Sequence, residues 1–525
     1  MVQAVPYDYR ASLECMKHPM GSLYSGGIIK NSEFNSDLMG WSVPWGVEAT
    51  VSSSPSGNKF AASRSKSAQP SHSIFQEIQM QNNTHYTLSA WLQASNGTLD
   101  VKAPNGDYIA TGAVVAKTGC WTMLKGGMTA HSLGTAELFF EADAAVDILV
   151  DSVSLQPFSI DEWNAQRKFS ADRARKRSVR VVALAADGKP LANATLVIKL
   201  SRAGFPLGNA MTKEILDIPA YEQWFTSRFT VAIFENEMKW YNTERIENHE
   251  DYRVPDAMVA LAQRHGIKVR GHNVFWDDKR SQMGWVEPLN ATQLQAAMQE
   301  RIRSVVTRYA GKVIAWDVVN ENLHYNFFES RLGPDASPRI YQQVAQLDGA
   351  ATLFMNEFNT LEQPMDTEAM PGKYAAKMDQ IRSYAGNGRL RMGIPIWLTE
   401  LDVTSGPMQT TYPEEVLREG YGHPNVQGIV MWAAWHAKGC YVTCLTDNSF
   451  RNLPVGDVVD RLIAEWNTHP KEATTDANGV VQLDLVDGQY NLTVTHPLLK
   501  APTVHAVTVD ASSSKLERVL YIKAL

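Results

Sequence analysis

The sequence predicts an α/β protein whose largest part is a (β/α)8 TIM-type barrel, accompanied by an N-terminal β-sandwich module and a small flanking β-sandwich. Three observations lead to this prediction. In residues 205–471, strand-like apolar runs alternate with amphipathic stretches of helix length, which is the pattern of a parallel sheet covered by helices. In residues 26–158, short alternating runs are separated by turn residues. Asp-Gly and Asn-Gly pairs separate further alternating runs on both sides of the barrel region.

The N-terminal third of the chain divides into a segment of residues 1–25, the β-sandwich module of residues 26–158 and a linker of residues 159–178. Runs such as 86–92 and 146–150 alternate apolar with polar residues, so one face of each predicted strand can pack inside a sandwich. The linker is rich in charged residues and predicts a polar helix or an exposed connection.

Residues 179–204 and 472–525 are predicted to form one small β-sandwich, although the barrel separates them in sequence. Each segment contains alternating runs joined by an Asp-Gly pair. A two-stranded hairpin is marginal on its own, because it cannot bury a hydrophobic face. We therefore expect the barrel of residues 205–471 to be inserted between the second and third strands of this sandwich.

Four strands of the predicted barrel run into unusually polar segments, at residues 234–240, 270–276, 316–322 and 395–403. Side chains that follow the strands of a barrel meet at its carboxyl end. Two carboxyl groups in such a cleft meet the requirements of glycoside hydrolysis, since one must be protonated to donate to the leaving oxygen and the other ionised to attack the anomeric carbon. Two negative charges close together help to keep the pKa of the first group raised.

The same segments carry a resemblance to a known family. The motifs are Glu-Asn-Glu-Met-Lys-Trp at 235–240, Gly-His-Asn-Val-Phe-Trp at 271–276, Trp-Asp-Val-Val-Asn-Glu at 316–321 and Trp-Leu-Thr-Glu-Leu-Asp at 397–402. Together they resemble glycoside hydrolase family 10, the retaining endo-1,4-β-xylanases. Residues 328–334 and 431–440 look like the plant branch, whose members carry N-terminal modules similar to carbohydrate-binding module family 22, which residues 26–158 also resemble.

The resemblance implies roles for nine residues. Glu321 would be the general acid/base, Glu400 the nucleophile, and Asn320 a hydrogen-bond partner of the sugar 2-OH. The residues implied to line the subsites on the non-reducing side are Glu235, Asn236, Lys239, His272, Trp276 and Trp432. The retaining outcome predicts a separation of about 5–5.5 Å between the two carboxyl groups. The resemblance implies no cofactor and no metal.

Family 22 modules that bind xylan use aromatic residues on one sheet face. The segment of residues 64–76 lacks a Trp where such an aromatic residue is expected. Tyr86, Trp91, Phe139 and Phe140 are other candidates for the sugar-binding face, and each of them could instead fill the core of the sandwich.

The sequence departs from the family pattern at the sixth strand–helix unit. Family members place this unit before the nucleophile strand, and its strand ends in a His that contacts the nucleophile. Here residues 387–394 run directly into the strand that contains Glu400, and no His lies between His324 and His423. We therefore predict that the barrel lacks its sixth βα unit. A 1 Å misplacement of the nucleophile can lower the rate about a hundredfold.

Three functions are consistent with these observations. The leading prediction is endo-hydrolysis of β-1,4-xylosidic linkages in plant cell-wall xylan by a retaining double displacement. A xylan transglycosylase would differ only in whether water or a sugar intercepts the glycosyl-enzyme. A xylan-binding protein with impaired catalysis is the third reading, because of the missing unit.

Composition limits the other partners. The net charge of −7 and the pI of about 6.0 give little support to nucleic-acid binding. No stretch approaches the roughly 18–20 apolar residues that span a membrane. Residues 1–9 lack the basic and apolar regions of a signal peptide, so the predicted extracellular or cell-wall location rests on the family resemblance. We expect a monomer.

The four cysteines leave the disulfide state open. Cys15 and Cys120 are far apart in sequence, whereas Cys440 and Cys444 are four residues apart. Neither pair has the spacing of a zinc site, and either pair could form a disulfide bond in an oxidising compartment.

Overall fold

The computed structural model describes residues 5–65, 71–95, 98–104, 109–142, 146–363, 366–384, 396–403, 406–510 and 517–523. Within them the chain forms an N-terminal β-sandwich, a connecting helix, a parallel sheet surrounded by helices, and a small sandwich built from two segments. The predicted fold class is confirmed. In the described part of the chain, no helix is long and apolar enough to cross a membrane.

The N-terminal module is built from antiparallel strands. Its strands are β1 Val47–Ser53, β2 Lys59–Ser65, β3 Ser71–Met80, β4 Thr84–Ala94, β5 Thr98–Pro104, β6 Ala110–Lys117, β7 Thr122–Ala130, β8 Gly134–Ala142 and β9 Ile148–Ser159. They form two sheets with the strand orders β1-β2-β9-β4-β7 and β3-β8-β5-β6. Leu88, Leu124, Phe140 and Val150 are completely or almost completely buried in the shared core, which is the arrangement expected of a sandwich.

Most of the aromatic residues considered for sugar binding belong to the interior of this module. Tyr86, Trp91 and Phe140 are each no more than 2% exposed, so they cannot offer a face to a sugar. Tyr86 and Phe140 fill the core between the sheets, whereas Trp91 packs in a separate cluster with Leu23 and Trp121. Phe139 is partly buried. The indole of Trp45, which precedes β1 and was not among the sequence candidates, is instead fully exposed.

Both cysteine pairs form disulfide bonds. Cys15–Cys120 ties the N-terminal segment to the module, and Cys440–Cys444 closes a short loop of the barrel. The disulfide state that the sequence left open is therefore the bonded state for both pairs.

The predicted linker is largely the helix α1, Ile160–Arg175. It begins with a capping box, in which the Ser159 hydroxyl accepts a hydrogen bond from the Glu162 N–H and the Glu162 carboxylate accepts one from the Ser159 N–H. The helix passes directly into β10, Lys176–Leu184, which is followed by β11, Thr195–Ala203.

The barrel consists of parallel strands that alternate with helices. Its elements are β12 Leu207–Met211, α2 Pro219–Thr226, β13 Val231–Phe234, α3 Trp240–Thr243, α4 Arg253–Arg264, β14 Lys268–Trp276, α5 Ala291–Tyr309, β15 Val313–Asn320, α6 Phe327–Leu332, α7 Ala336–Leu347, β16 Thr352–Phe354, α8 Pro371–Tyr384, β17 Ile396–Leu401, α9 Thr411–Gly422, β18 Val426–Met431 and α10 Pro454–Trp466. The strand order is β16-β15-β14-β13-β12-β18-β17, so the described sheet has seven strands and β12 pairs with β18.

The two segments that flank the barrel in sequence pair with each other. The strands after the barrel are β19 Lys471–Thr474, β20 Val480–Val486, β21 Gly488–Thr495, β22 Thr503–Val509 and β23 Glu517–Lys523. One sheet has the order β20-β10-β23 and the other β19-β11-β21-β22. Val181, Ile198, Leu485 and Leu492 are fully buried between the two sheets. Strand β10 therefore completes one sheet and β11 completes the other. The remaining strands of both sheets follow the barrel in sequence.

The barrel sheet is open between its edge strands β16 and β17, where the sequence analysis placed the missing unit. The segment of residues 387–395, which would connect to β17, lies outside the described residues. Phe354 and Trp397 face each other across this opening with ring centroids 6.0 Å apart. The Arg270 guanidinium lies 4.0 Å and 5.6 Å from the same two ring centroids. An edge-to-face aromatic contact and the Arg270 guanidinium thus join the two edges from inside the barrel.

The N-terminal module contacts the helices on both sides of the opening. Strand β6 contacts α8, and α1 packs against α9. In the second contact, the Trp163 indole N–H donates to Glu419, and an Arg167 guanidinium nitrogen lies 3.5 Å from the same carboxylate. The module therefore lies against the part of the barrel that the missing unit leaves uncovered.

Pairing between the two flanking segments can be tested through the core of the small sandwich. Leu492 lies opposite Ile198 in the β11–β21 pair. We expect Leu492→Ala to lower the free energy of unfolding of this sandwich by about 2–5 kcal/mol, because it leaves a cavity in a fully buried site. Asn491→Ala, at an exposed site on the same strand, is the control and should change it by less than about 0.5 kcal/mol. Equal effects in thermal unfolding of the two variants would contradict the observed packing.

Candidate active site

The nine predicted site residues converge at the carboxyl end of the barrel sheet. Glu235 follows β13, Trp276 ends β14, Asn320 ends β15, Glu400 lies near the end of β17, and Trp432 follows β18. In a parallel sheet these ends lie along one edge, which brings together residues that are far apart in sequence. Glu235 lies close enough to Lys239 for its charge to affect the Lys239 pKa, which places it beside the carboxylates Glu321 and Glu400.

Glu321 is held in a buried position with its side chain in the cleft. Its backbone N–H donates to the Asn356 carbonyl at 2.9 Å, and the Trp276 indole N–H donates to its carboxyl at 2.5 Å. Burial is the main cause that raises the pKa of Glu321 to about 7, and the charges of Glu400 and Glu357 add to this effect. The Trp276 hydrogen bond acts in the opposite direction but does not outweigh burial. Near neutral pH this carboxyl can therefore hold a proton.

Glu400 is more accessible and is fixed by a side-chain amide. The Asn356 Nδ2 donates to Glu400 Oε1 at 2.6 Å, and His272 Nε2 lies 3.8 Å from the same oxygen. The Glu400 side chain is 30% exposed, whereas that of His272 is fully buried. A substrate in the cleft can therefore reach the Glu400 carboxylate.

Both carboxyl residues have a left-handed backbone conformation, with φ of 59° at Glu321 and 57° at Glu400. This conformation costs a residue with a side chain about 1–2 kcal/mol. Such conformations persist only where the surrounding structure fixes them, and they concentrate at functional sites.

A buried ionic network orients His272. Asp317 accepts hydrogen bonds from Arg270 Nε at 3.1 Å and from His272 Nδ1 at 2.9 Å, and all three side chains are essentially inaccessible. Burial acts to raise the pKa of Asp317, but the charge of Arg270 and the contact with His272 outweigh it and lower the pKa. With Nδ1–H directed at Asp317, the buried His272 Nε2 lies 3.8 Å from Glu400 Oε1 and has no hydrogen-bond partner among the described residues.

Lys239 places a positive charge among the carboxylates. Its ammonium group lies 4.5 Å from the Trp276 ring centroid and 5.7 Å from that of Trp432. Burial lowers the pKa of Lys239, while the charges of Glu400 and Glu321 act to raise it. The two indoles and the ammonium group form one wall of the cleft, which suits the apolar faces and the hydroxyl groups of a sugar.

Glu235 and Asn236 complete this wall through hydrogen bonds. Glu235 Oε2 lies 2.6 Å from His436 Nε2, and the Asn236 amide N–H donates to the other Glu235 oxygen at 3.3 Å. The Tyr241 hydroxyl donates to Asn236 Oδ1 at 2.6 Å. His436 was not identified from the sequence, although it lies within the plant-like segment 431–440.

Asn356 is the second site residue that the sequence reasoning missed. It follows the three-residue strand β16, and its Nδ2 donates to Asn320 Oδ1 at 2.8 Å as well as to Glu400. The signal in the sequence was the Asn356-Glu357 pair after a predicted barrel strand, because Asn-Glu pairs also occur at 236–237 and 320–321 in two of the polar segments.

The protonation of Glu321 gives a direct test of the geometry. Because the negative charge of Glu400 raises the pKa of Glu321, Glu400→Gln should lower this pKa below its value of about 7. The titration can be followed by NMR of protein carrying ¹³C at the glutamate carboxyl groups, with Glu321→Gln to assign the signal. Glu415→Gln, outside the cleft, should leave the Glu321 pKa unchanged. An unchanged or higher pKa in Glu400→Gln would mean that the two groups do not face each other.

Comparisons with known proteins agree with this geometry. Residues 197–381 match the model of glycosyl hydrolase family 10, and residues 26–145 match a carbohydrate binding domain. The first match contains Glu321 and ends before the opening in the barrel sheet.

Curated relatives from Arabidopsis thaliana match far more of the chain. Endo-1,4-beta-xylanase 5 is 37% identical over 464 residues, which cover 81% of this chain and 82% of the relative. Endo-1,4-beta-xylanase 4 is 34% identical over 495 residues, which cover 85% of this chain and 87% of the relative. Identity of this extent, over most of both chains, shows that the protein belongs to glycosyl hydrolase family 10.

Proposed function

We propose that the protein is a retaining endo-1,4-β-xylanase that cleaves internal linkages of cell-wall xylan. The observation that carries the proposal is a pair of carboxyl groups in one cleft: Glu321, whose pKa is raised to about 7 by burial and by the charge of Glu400, and Glu400, which is held by Asn356. The relatives that match most of the chain are endo-1,4-beta-xylanases. We also propose that the modules have the boundaries predicted from the sequence and that the enzyme is a monomer.

The proposed reaction proceeds in two displacements. Glu321 donates its proton to the glycosidic oxygen while Glu400 attacks the anomeric carbon, so that the leaving sugar departs and a glycosyl-enzyme forms. Glu321, now ionised, takes a proton from water, and this water displaces Glu400. The anomeric configuration is retained because it is inverted twice. For this reaction we expect the two carboxyl groups to be about 5–5.5 Å apart.

The remaining predicted residues would bind the sugar. Asn320 lies next to Glu321, where its amide can hydrogen-bond a 2-OH, and Trp276 with Trp432 can contact the apolar faces of the rings. Lys239 supplies a polar group in the same wall, whereas His272 is buried behind Glu400 and would act through that carboxylate. Glu235 and Asn236 lie farther along this wall, where the next sugar on the non-reducing side would bind.

The location proposed for the enzyme is the plant cell wall or another extracellular compartment. Disulfide bonds persist in oxidising compartments, and the described cysteines are all paired. The relatives are plant proteins that carry the same activity in their names.

The activity can be tested on purified protein with xylan. We expect new reducing ends from the unmodified protein, loss of this release to background in Glu400→Gln, and a fall of about 10²–10⁴-fold in Glu321→Gln. Glu415→Gln, which carries the same substitution on α9, serves as the control and should retain the rate. Redistributed chain lengths without new reducing ends would instead indicate a transglycosylase, and binding without either change would indicate a catalytically impaired protein.

The pH dependence follows from the same assignment. The general acid must be protonated, so the alkaline limb of kcat/KM should fall as the pH rises through the Glu321 pKa of about 7. An alkaline limb more than two units away from this value would show that another group is the acid.

The N-terminal module is proposed to hold xylan through Trp45. This indole is fully exposed, whereas Tyr86, Trp91 and Phe140 are buried. We expect Trp45→Ala to weaken retention on insoluble xylan about 3–10-fold, because one stacking contact is lost. The measurement is made in the Glu400→Gln background to prevent hydrolysis. Leu133→Ala, at another exposed apolar site of the module, is the control, and equal retention of the two variants would exclude Trp45.

A further inference from the structure

The opening in the barrel sheet separates Glu321 from Glu400, and the proposed reaction requires these two residues to keep a fixed relative position. Glu321 follows β15, whose outer neighbour is the edge strand β16, and Glu400 lies on β17, the opposite edge strand. Each of the other neighbouring strands in the described sheet is joined by backbone pairing. Among the described residues, backbone pairing therefore connects the strands of Glu321 and Glu400 only through β14, β13, β12 and β18.

The Asn356 side chain bridges this opening. It is 6% exposed, its Nδ2 donates to Glu400 Oε1 at 2.6 Å and to Asn320 Oδ1 at 2.8 Å, and its Oδ1 accepts from the Thr399 hydroxyl at 2.6 Å. Its carbonyl accepts from the Glu321 N–H at 2.9 Å. Both amide hydrogens are used, and their two acceptors fix which end of the amide is nitrogen.

These contacts decide which atoms remain for the substrate. Glu400 Oε1 is occupied by Asn356, whereas Glu400 Oε2 accepts no hydrogen bond from the described residues. Asn320 Oδ1 is occupied as well, so its Nδ2–H2 group is the part of the amide that can donate to a sugar hydroxyl. One side chain thus orients both the carboxylate and the neighbouring amide.

We propose that Asn356 is a positioning residue that holds Glu400 in place across the opening in the barrel sheet. In this arrangement Glu400 Oε2 is the attacking oxygen, and Asn320 Nδ2 faces the sugar 2-OH. The inference rests on the proposed function and adds a residue to it. The Asn356 side-chain amide connects the two edge strands, as backbone hydrogen bonds connect neighbouring strands elsewhere in the sheet. The consequence is kinetic, since a displacement of about 1 Å at the nucleophile can cost a hundredfold in rate.

The test measures attack by Glu400 separately from proton donation and from the 2-OH contact. A 2-deoxy-2-fluoro-xylobioside with a good leaving group needs no general acid and lacks the 2-OH, so its covalent trapping, followed by mass spectrometry, reports on the nucleophile alone. We expect trapping in Asn356→Ala to be about a hundredfold slower than in the unmodified protein, with KM for xylan changed less than threefold. Asn356→Asp, which cannot donate to Glu400 and adds a negative charge, should also be slow.

Two control variants separate positioning from general destabilisation. Thr399→Val removes only the hydroxyl that supports the Asn356 amide and should slow trapping by less than tenfold. Asn452→Ala removes an amide that joins Trp224 to Asp460 away from the cleft, and should lower thermal stability without slowing trapping. A trapping rate of Asn356→Ala within threefold of the unmodified rate, or a KM that rises as much as kcat falls, would overturn the proposal.

Failure of the proposed function would look different. In that case the unmodified protein would not be labelled at Glu400 at all. The crystal structure of Asn356→Ala would still decide the positioning role, because an unchanged Glu400 rotamer and an unchanged Asn320 amide would contradict it, and displacement of both would support it.

Discussion

The active site depends on the close approach of two carboxyl groups, Glu321 and Glu400, within a single cleft. Burial raises the pKa of Glu321 to about 7, and the charge of Glu400 acts in the same direction. Lys239, buried in the same wall, opposes this rise with its positive charge. Deeper in the barrel, Arg270 compensates the charge of Asp317, so the residue that orients His272 adds little net charge to the cleft. Glu321 and Glu400 therefore have different surroundings although they share one cleft.

The barrel supplies this environment even though its sheet is open on one side. The opening is joined by Phe354 and Trp397 within the barrel and by Asn356 at its carboxyl end. On the outside, α1 and β6 lie against the helices that border the opening. Side chains and a neighbouring module therefore contribute contacts that a complete barrel obtains from an eighth strand and its helix.

The features that the sequence predicted are those carried by local patterns. The alternation of strands and helices predicted the barrel, and polar segments after four strands predicted that Glu321 and Glu400 would share a cleft with Lys239 and His272. The strand before Asn356 was predicted, but Asn356 was missed because its role depends on contacts with Glu400 and Thr399 across an opening between strands that are far apart in sequence. The burial of Tyr86 could not be predicted either, because alternation indicates that a strand has two faces but not which face meets the second sheet. Trp91 lies on the other face of the same strand and is covered by the N-terminal segment, including Met16 and Met20, which no pattern within the strand indicates.

The arrangement of the small sandwich constrains how the chain reaches its folded state. Strands β10 and β11 complete sheets whose other members, β19 to β23, all follow the barrel. On the ribosome, which adds about 5–20 residues per second, the interval between synthesis of Ala203 and Val480 is roughly 15–55 s. During that time β10 and β11, which belong to different sheets, lack their partner strands, so the small sandwich cannot be completed before the whole barrel has been synthesised. The small sandwich forms last and brings the two ends of the completed barrel together.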